Sequence, residues 1–455
     1  MEASKRQQGS SFTKLSTSLV SKLHAAFIKN DNYIRSRNAV CKVGIDESCY
    51  NHYRSMTLDP AVSLRLDDWF ATSQGQSGRC WIFAITNLFR SEIRKTIDVK
   101  NFEISQNFIM FYDKLERVNY FLEAMEQNAH LPEGDRTVTY LLEKVMQDGG
   151  QWHMAINICE KYGVVPKVNM PETFASMQTD KMNRTLKKVL RGAAMKIRNM
   201  VSNGANNDQI KAFKKESVIK IHRILSMHLG SPPEVIEFKW RDDNGRFHND
   251  GFMTPREFYN KYVTVPPEDF VCLVDDPRIE HPRGQLITVD YLGNVVGASQ
   301  TEYLNIPIKD IKQATLNSLQ AGHPVWFGCD VRPQLDRDGG KWATDLFEYS
   351  DIYNMEIELT KEQRVRFCDS KMTHAMLFTG VDLDTSGKPT RWRVENSWGA
   401  DRGDKGFYIM QDLWFDEYVF EVVVHKSYLS DKILQGLDTE PIVLPPWDPM
   451  GALAN

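Results

Sequence analysis

Residues 74–89, QGQSGRCWIFAITNLF, run from a glycine- and serine-bearing loop into a segment that has almost no polar face. Trp81, Ile82, Phe83, Ala84 and Ile85, followed by Leu88, Phe89 and Ile93, surround a 3.6-residue turn on nearly every side, so the helix they predict must be central and buried. Its first residue is Cys80. A helix N-terminus presents unpaired N–H groups and partial positive charge, and both favour a thiolate over a thiol. Cys80 is therefore the candidate nucleophile, with Trp81 as its supporting neighbour. Gln74, six positions earlier, carries an amide that can join the Cys80 N–H in stabilising an oxyanion. Most isolated cysteines are inert core, so this reading requires a base and an orienting group elsewhere in the chain.

Residues 372–381, MTHAMLFTGV, and 391–395 are strand-like and flank the turn DTSGKP at 384–389, which predicts a hairpin with its tip near 386–387. Facing positions then sum to about 773, and His374 and Asn396 lie near the same open end. The period of two puts Trp392, Val394 and Asn396 on one face. One imidazole nitrogen can take the thiol proton while the Asn396 carbonyl orients the ring, and Trp398 can shield that bond from water. Asp148-Gly149-Gly150-Gln151 reads as a turn opening a further helix; paired glycines of this kind also let an extended backbone lie close to the protein.

Composition narrows the alternatives. Charge is balanced, 56 Lys and Arg against 60 Asp and Glu, a net −4, and nothing global points to nucleic acid or a membrane. The N-terminus lacks the apolar core of a signal peptide and no run approaches about 18 apolar residues, so a cytoplasmic location is expected. Seven scattered cysteines without a CxxC pair argue against a disulfide framework and a zinc site. Residues 15–30 suit an amphipathic helix with Leu19, Leu23 and Phe27 in one stripe, and 61–171 read as helical, with Leu115, Phe121 and Leu122 in the core. Residues 179–230 read as two helices broken at 204–208; between Ser176 and Gly230 there are 12 Lys and Arg against 3 Asp and Glu, a local +9. Such a run suits a solvated face, a channel lining or a nucleic-acid contact.

Gln74 to Phe83, His374-Ala375 and Asn396 to Gly399 together resemble the papain-type cysteine proteases, whose Cys-His-Asn set follows the nucleophile–base–orienter logic. SGRCWIF, DGGQW, EKYGVVP, VWFGCD, MTHAM, WRVENSWG and the terminal WDPMGALA are similar, in style and order, to the bleomycin hydrolases, cytosolic papain-like aminopeptidases. The resemblance implies an α+β papain-like fold: an N-terminal arm or clasp (1–60), a helical half with Cys80 (61–175), a basic helical insertion (176–236), a β-rich half with His374 and Asn396 (237–430), and a C-terminal arm (431–455). Secreted papain enzymes often carry a cysteine three residues before the nucleophile; here Ser77 stands there. Cys80 and His374 are 294 residues apart, about twice the usual ~130–150, so the excess must be inserted between the halves. No inhibitory prosegment signature precedes Cys80.

The terminal PIVLPPWDPMGALAN holds four prolines and cannot form a helix or a central strand. By resemblance it lies in the enzyme's own active-site cleft, which assigns Ala454 and Asn455, together with Gly149 and Gly150, to the substrate cleft and gives a terminal carboxylate the task of holding the substrate's free amine. The resemblance further implies a homohexamer, peptide and small amide substrates such as bleomycin, possible homocysteine thiolactone hydrolysis, and no metal or organic cofactor. A thiol endopeptidase whose tail stays out of the cleft, and an oligomer binding single-stranded nucleic acid or unfolded chains, are the rival readings.

Overall fold

The computed structural model describes residues 13–66, 69–264 and 266–454. Two compact units emerge. One consists of the N-terminal segment up to Ser55 together with Asp345–Glu358; the other holds 56–344 and 359–455. In the first, helices Thr17–Phe27 and Asp31–Val43 are followed by short helices, and the segment around Tyr50 bridges to Phe347. The helix Thr17–Phe27 buries none of its residues: Leu19, Leu23 and Phe27 form the expected stripe but are 45%, 56% and 39% exposed.

In the second unit, the apolar pattern after Cys80 gives the helix Cys80–Ile97, with 14 of its 18 residues buried. Gln106–Gln127 packs beside it, started by the Ser105 hydroxyl, which accepts from Phe108 N–H at 3.1 Å. Trp152–Tyr162 opens after the Gly149-Gly150 turn and ends at Gly163, where φ is +78° and a Cβ would stand 2.2 Å from the Pro255 backbone, so no side chain is admitted. The two helices of the basic stretch are Asp180–Ser202 and Asn207–Leu229, both packed on Gln106–Gln127. The break between them is closed by an Asn206–Gln209 capping box.

A twelve-stranded sheet forms the other half. Its path runs Ile442–Leu444, Gln285–Val289, Glu302–Asn305, Phe270–Val274, Val419–His425, Val325–Cys329, His374–Leu383, Pro389–Glu395, Phe407–Gln411, Lys341–Trp342, Leu335–Asp336. The hairpin register matches the expected sum: Gly380, Val381 and Asp382 face Arg393, Trp392 and Arg391, and irregularities on either side shift it by one. Trp392 and Val394 are both fully buried. One stretch departs from expectation, and the tail keeps to it. Residues 61–66 and 69–79 are not helical; Leu64–Arg65 pairs with Val381 and Gly380, and residues 72–74 hydrogen-bond to 397–399, because helical propensity yields to strand pairing here. The tail's Ile442–Leu444, between Pro441 and Pro445, adds an edge strand parallel to Gln285–Val289, the one sheet position that flanking prolines tolerate.

Candidate active site

Cys80 is the first residue of its helix and is fully buried. The Ala375 N–H donates to Cys80 Sγ at 3.4 Å, which places the thiol against the start of the histidine strand. His374 opens that strand, paired with Cys329 on its neighbour. Its Nε2 lies 2.9 Å from Asn396 Oδ1. The Ser397 N–H also points at Oδ1, at 2.8 Å, so this atom is an acceptor; Nε2 must be the donor, and Nδ1 is left as the basic nitrogen. The Trp398 ring lies 5.0 Å from the imidazole at 35° and covers it. Asn396 Nδ2 is buried without a hydrogen-bond partner among the described residues.

Burial works against the expected thiolate in this structure. Burial pushes the Cys80 thiol up to about 12, although the Ala375 N–H and the N–H groups of the helix start pull the other way. Burial likewise pushes His374 down to about 4, against the hydrogen bond that it donates to Asn396 Oδ1. Both shifts favour the uncharged forms of the pair. Helix polarity is the weaker force once water is excluded.

Gln74 is tied to the residue that follows Asn396. Its N–H donates to Ser397 O at 2.8 Å and its Oε1 accepts from Ser397 Oγ at 2.5 Å. One amide hydrogen of Nε2 goes to Ser77 O. An amide nitrogen carries two, so a second donor remains for an oxyanion.

The glycine turn and the tail come together. Gly150 forms an antiparallel bridge with Ala454, and the Gln151 side chain donates to Ala452 O at 2.8 Å. Ala454 is fully buried. Gly150 is glycine because a Cβ there would lie 2.5 Å from the Trp81 ring. Trp81 is the residue after Cys80, so the tail runs alongside the nucleophile's neighbour. Arg278 holds the tail in place with two bonds to Asp448, at 2.7 and 2.9 Å, and the Arg136 guanidinium lies 3.9 Å over the Trp447 ring. Gly149 O accepts from Arg117 at 2.6 Å. Asn455 lies outside the described residues.

Several residues here escaped the sequence. Glu395, next to Asn396, accepts from Arg90 at 2.6 Å, Asn87 at 2.9 Å and Trp69 at 2.7 Å, which fixes the Asn396 end of the hairpin to the nucleophile helix. Arg79, wholly buried before Cys80, pairs with Glu172 at 2.9 Å. The available signal was charge in an apolar setting: Arg90 within the buried helix and Glu395 at the end of a buried strand. Among the described residues no group of three or more His, Cys, Asp or Glu side chains could hold a metal.

The sequence model of the Peptidase C1-like family matches residues 14–451. The chain is 39% identical over 443 residues to the aminopeptidase C of Streptococcus thermophilus, covering 97% of this chain and 100% of that one. It is 44% identical over 391 residues to the bleomycin hydrolase of Gallus gallus, covering 84% and 86%. The crystal structure of PepW from Lactobacillus rhamnosis superposes with a TM-score of 0.95 at 38% identity, covering 97% of this chain and 99% of that one.

Proposed function

The chain belongs to the Peptidase C1-like family and is a papain-like cysteine aminopeptidase, and from that premise we propose how its residues divide the work and which substrates it takes. Cys80 attacks the scissile carbonyl, and the Cys80 N–H and the free amide hydrogen of Gln74 hold the oxyanion. His374 takes the thiol proton on Nδ1, delivers it to the leaving amine, and then activates the water that hydrolyses the thioester. Asn396 fixes the ring so that Nδ1 faces the thiol, and Trp398 keeps water off that hydrogen bond.

The observation that carries the exopeptidase reading is the antiparallel bridge between Gly150 and Ala454. The strip of cleft along which an upstream substrate chain would lie is filled by the enzyme's own tail. In this reading a carboxylate at the end of the arm pairs with the ammonium of a substrate's first residue, and the tail leaves no room for residues before it. Substrates are accordingly the free N-termini of short unfolded peptides with varied side chains. Small amides with a free amine, bleomycin among them, and homocysteine thiolactone present the same ammonium and electrophilic carbonyl.

All seven cysteines are free, which suits a reducing compartment such as the cytosol. A homohexamer belongs to the same proposal, and the exposed stripe of Leu19, Leu23 and Phe27 supports it as an apolar surface suited to another subunit. Sedimentation of the purified protein as a monomer would count against it.

The test compares hydrolysis of an aminoacyl amide with its N-acetylated twin by the full chain, by Cys80→Ala and by a chain ending at Gly451. The full chain is expected to cleave only the free amine, Cys80→Ala neither, and the shortened chain both. Cleavage of the acetylated twin by the full chain, or unchanged selectivity after shortening, would refute the role given to the tail.

A further inference from the structure

Asp148 gathers more of the cleft around one carboxylate than any catalytic step requires. Its Oδ1 accepts from Lys114 Nζ at 2.7 Å and from Asn183 Nδ2 at 2.7 Å. Its Oδ2 accepts from the Gly78 N–H at 3.2 Å and from the Thr179 hydroxyl. Its backbone oxygen accepts from Trp81 Nε1 at 2.7 Å. The four groups come from four places: the loop that leads into Cys80, the helix Gln106–Gln127, the turn before the inserted helices, and the first of those helices. Burial opposes a charged carboxylate here, but Lys114 and the donors from Thr179 and Asn183 hold Asp148 well below the usual carboxylate range, so the hub is anionic at neutral pH.

The loop needs such a brace. Gln76, Ser77 and Gly78 border an open cavity of about 470 Å³ that Asp148, Thr179 and Lys187 also line, so on that side the loop is held by polar contacts: Gly78 N–H to Asp148, and Gln76 N–H to Met177 O at 2.7 Å. Secreted papain enzymes, by the resemblance noted above, often carry a cysteine in this loop that joins a disulfide; here Ser77 stands there and cannot. A shift of Gly78 would carry with it the Gln74 amide and the Cys80 N–H, the two donors on which the oxyanion depends. From the other side, Asp148 directly precedes the Gly149-Gly150 turn that pairs with Ala454.

We propose that Asp148 is the positioning residue for the oxyanion side of the site, a polar brace that fixes the Gln74–Gly78 loop against the inserted helix and the glycine turn. The inference rests on the aminopeptidase reading above. Asp148 does not touch the substrate; it acts through Gly78 and Trp81.

The experiment uses Asp148→Asn, the charge-neutral double variant Lys114→Met/Asp148→Asn, and Thr179→Val/Asn183→Leu, each as the full chain. Three readouts are taken: turnover of a free-amine aminoacyl amide, inhibition by the matching aminoacyl aldehyde, and alkylation of Cys80 by iodoacetamide. Alkylation needs the thiol but no oxyanion donors, so it separates the brace from general damage. A misplacement near the reacting atoms of about 1 Å predicts a fall in kcat of about a hundredfold with KM nearly unchanged. Aldehyde binding should weaken in parallel, and alkylation should stay within about twofold of the full chain, the opposite of the large loss expected where the donors themselves matter. If Asp148→Asn fails to fold because Lys114 is left unpaired, the other two variants carry the test. Wild-type kcat in the folded variants, or turnover and alkylation falling together, would overturn the proposal. A wild-type enzyme that does not need Cys80 for the amide would instead sink the aminopeptidase reading itself.

Discussion

Gly150→Ala puts one methyl group into the place where the tail, the glycine turn and the nucleophile helix meet. A Cβ at 150 would stand 2.5, 2.6 and 2.7 Å from three atoms of the Trp81 ring. Carbon atoms settle at about 3.5–4.0 Å, so ring or turn must give by about 1 Å. The ring is poorly placed to yield: Nε1 is held by Asp148 O at 2.7 Å, the Arg117 guanidinium lies 5.8 Å from its centroid, and its backbone is the first turn after Cys80. The turn therefore moves, and Gly150 loses its register with Ala454. Overpacking of this kind costs about 1–3 kcal/mol, small enough for the fold to survive. A 1 Å error beside the reacting atoms costs about a hundredfold in rate. The expected result is kcat/KM for a free-amine aminoacyl amide down by about that factor in a folded enzyme, with the acetylated twin gaining relative to it. Steady-state kinetics with both substrates, alongside a thermal melt, decides the matter. A folded Gly150→Ala enzyme with unchanged kcat/KM and selectivity would show that the turn lies outside the substrate's path.

Two further perturbations follow from the tail's surroundings. Glu421 is fully buried beneath Pro449 and Met450, its Oε1 has no hydrogen-bond partner among the described residues, and burial raises its pKa from 4.5 to about 8. The unfolded chain ionises this group above 4.5 while the folded one keeps it protonated to about 8, so the contribution to stability falls as pH rises through that window, by about 1.4 kcal/mol per unit at most. Glu421→Gln should flatten the decline, as read by denaturant melts at pH 5 and pH 8; equal slopes in both proteins would refute it. Arg278→Ala leaves Asp276 and Asp448 without their shared cation and frees the tail's anchor, a loss of about 3–5 kcal/mol for a buried pair. Cleavage of the N-acetylated amide should then appear, and persistent selectivity for the free amine would show that the tail docks without Asp448.

What the sequence made legible was set by periodicity and by chemistry that requires particular residues. A segment apolar on all sides can only be a central helix, and a turn flanked by strand formers fixes its own register, so the predicted hairpin sum near 773 is observed at Gly380–Asp382. The residues that escaped are held by long-range polar contacts without a period. Glu395 meets Arg90 across 305 positions, and Ser397 meets Gln74 across 323. Residues 61–66 and 69–79 were misread for a related reason: their partners are the backbone groups of Thr379, Val381 and Ser397, which a local window does not contain.

The protonation of the pair follows from the same geometry. Cys80 sits where a helix start and the Ala375 N–H both favour the anion, yet its thiol is driven up and its base driven down by one cause, burial of both side chains. Those N–H groups remain aimed at the sulfur whatever fills the cleft, whereas the desolvation that opposes them depends on what fills it. A substrate that brings a polar amide and an ammonium alters only the second of these terms.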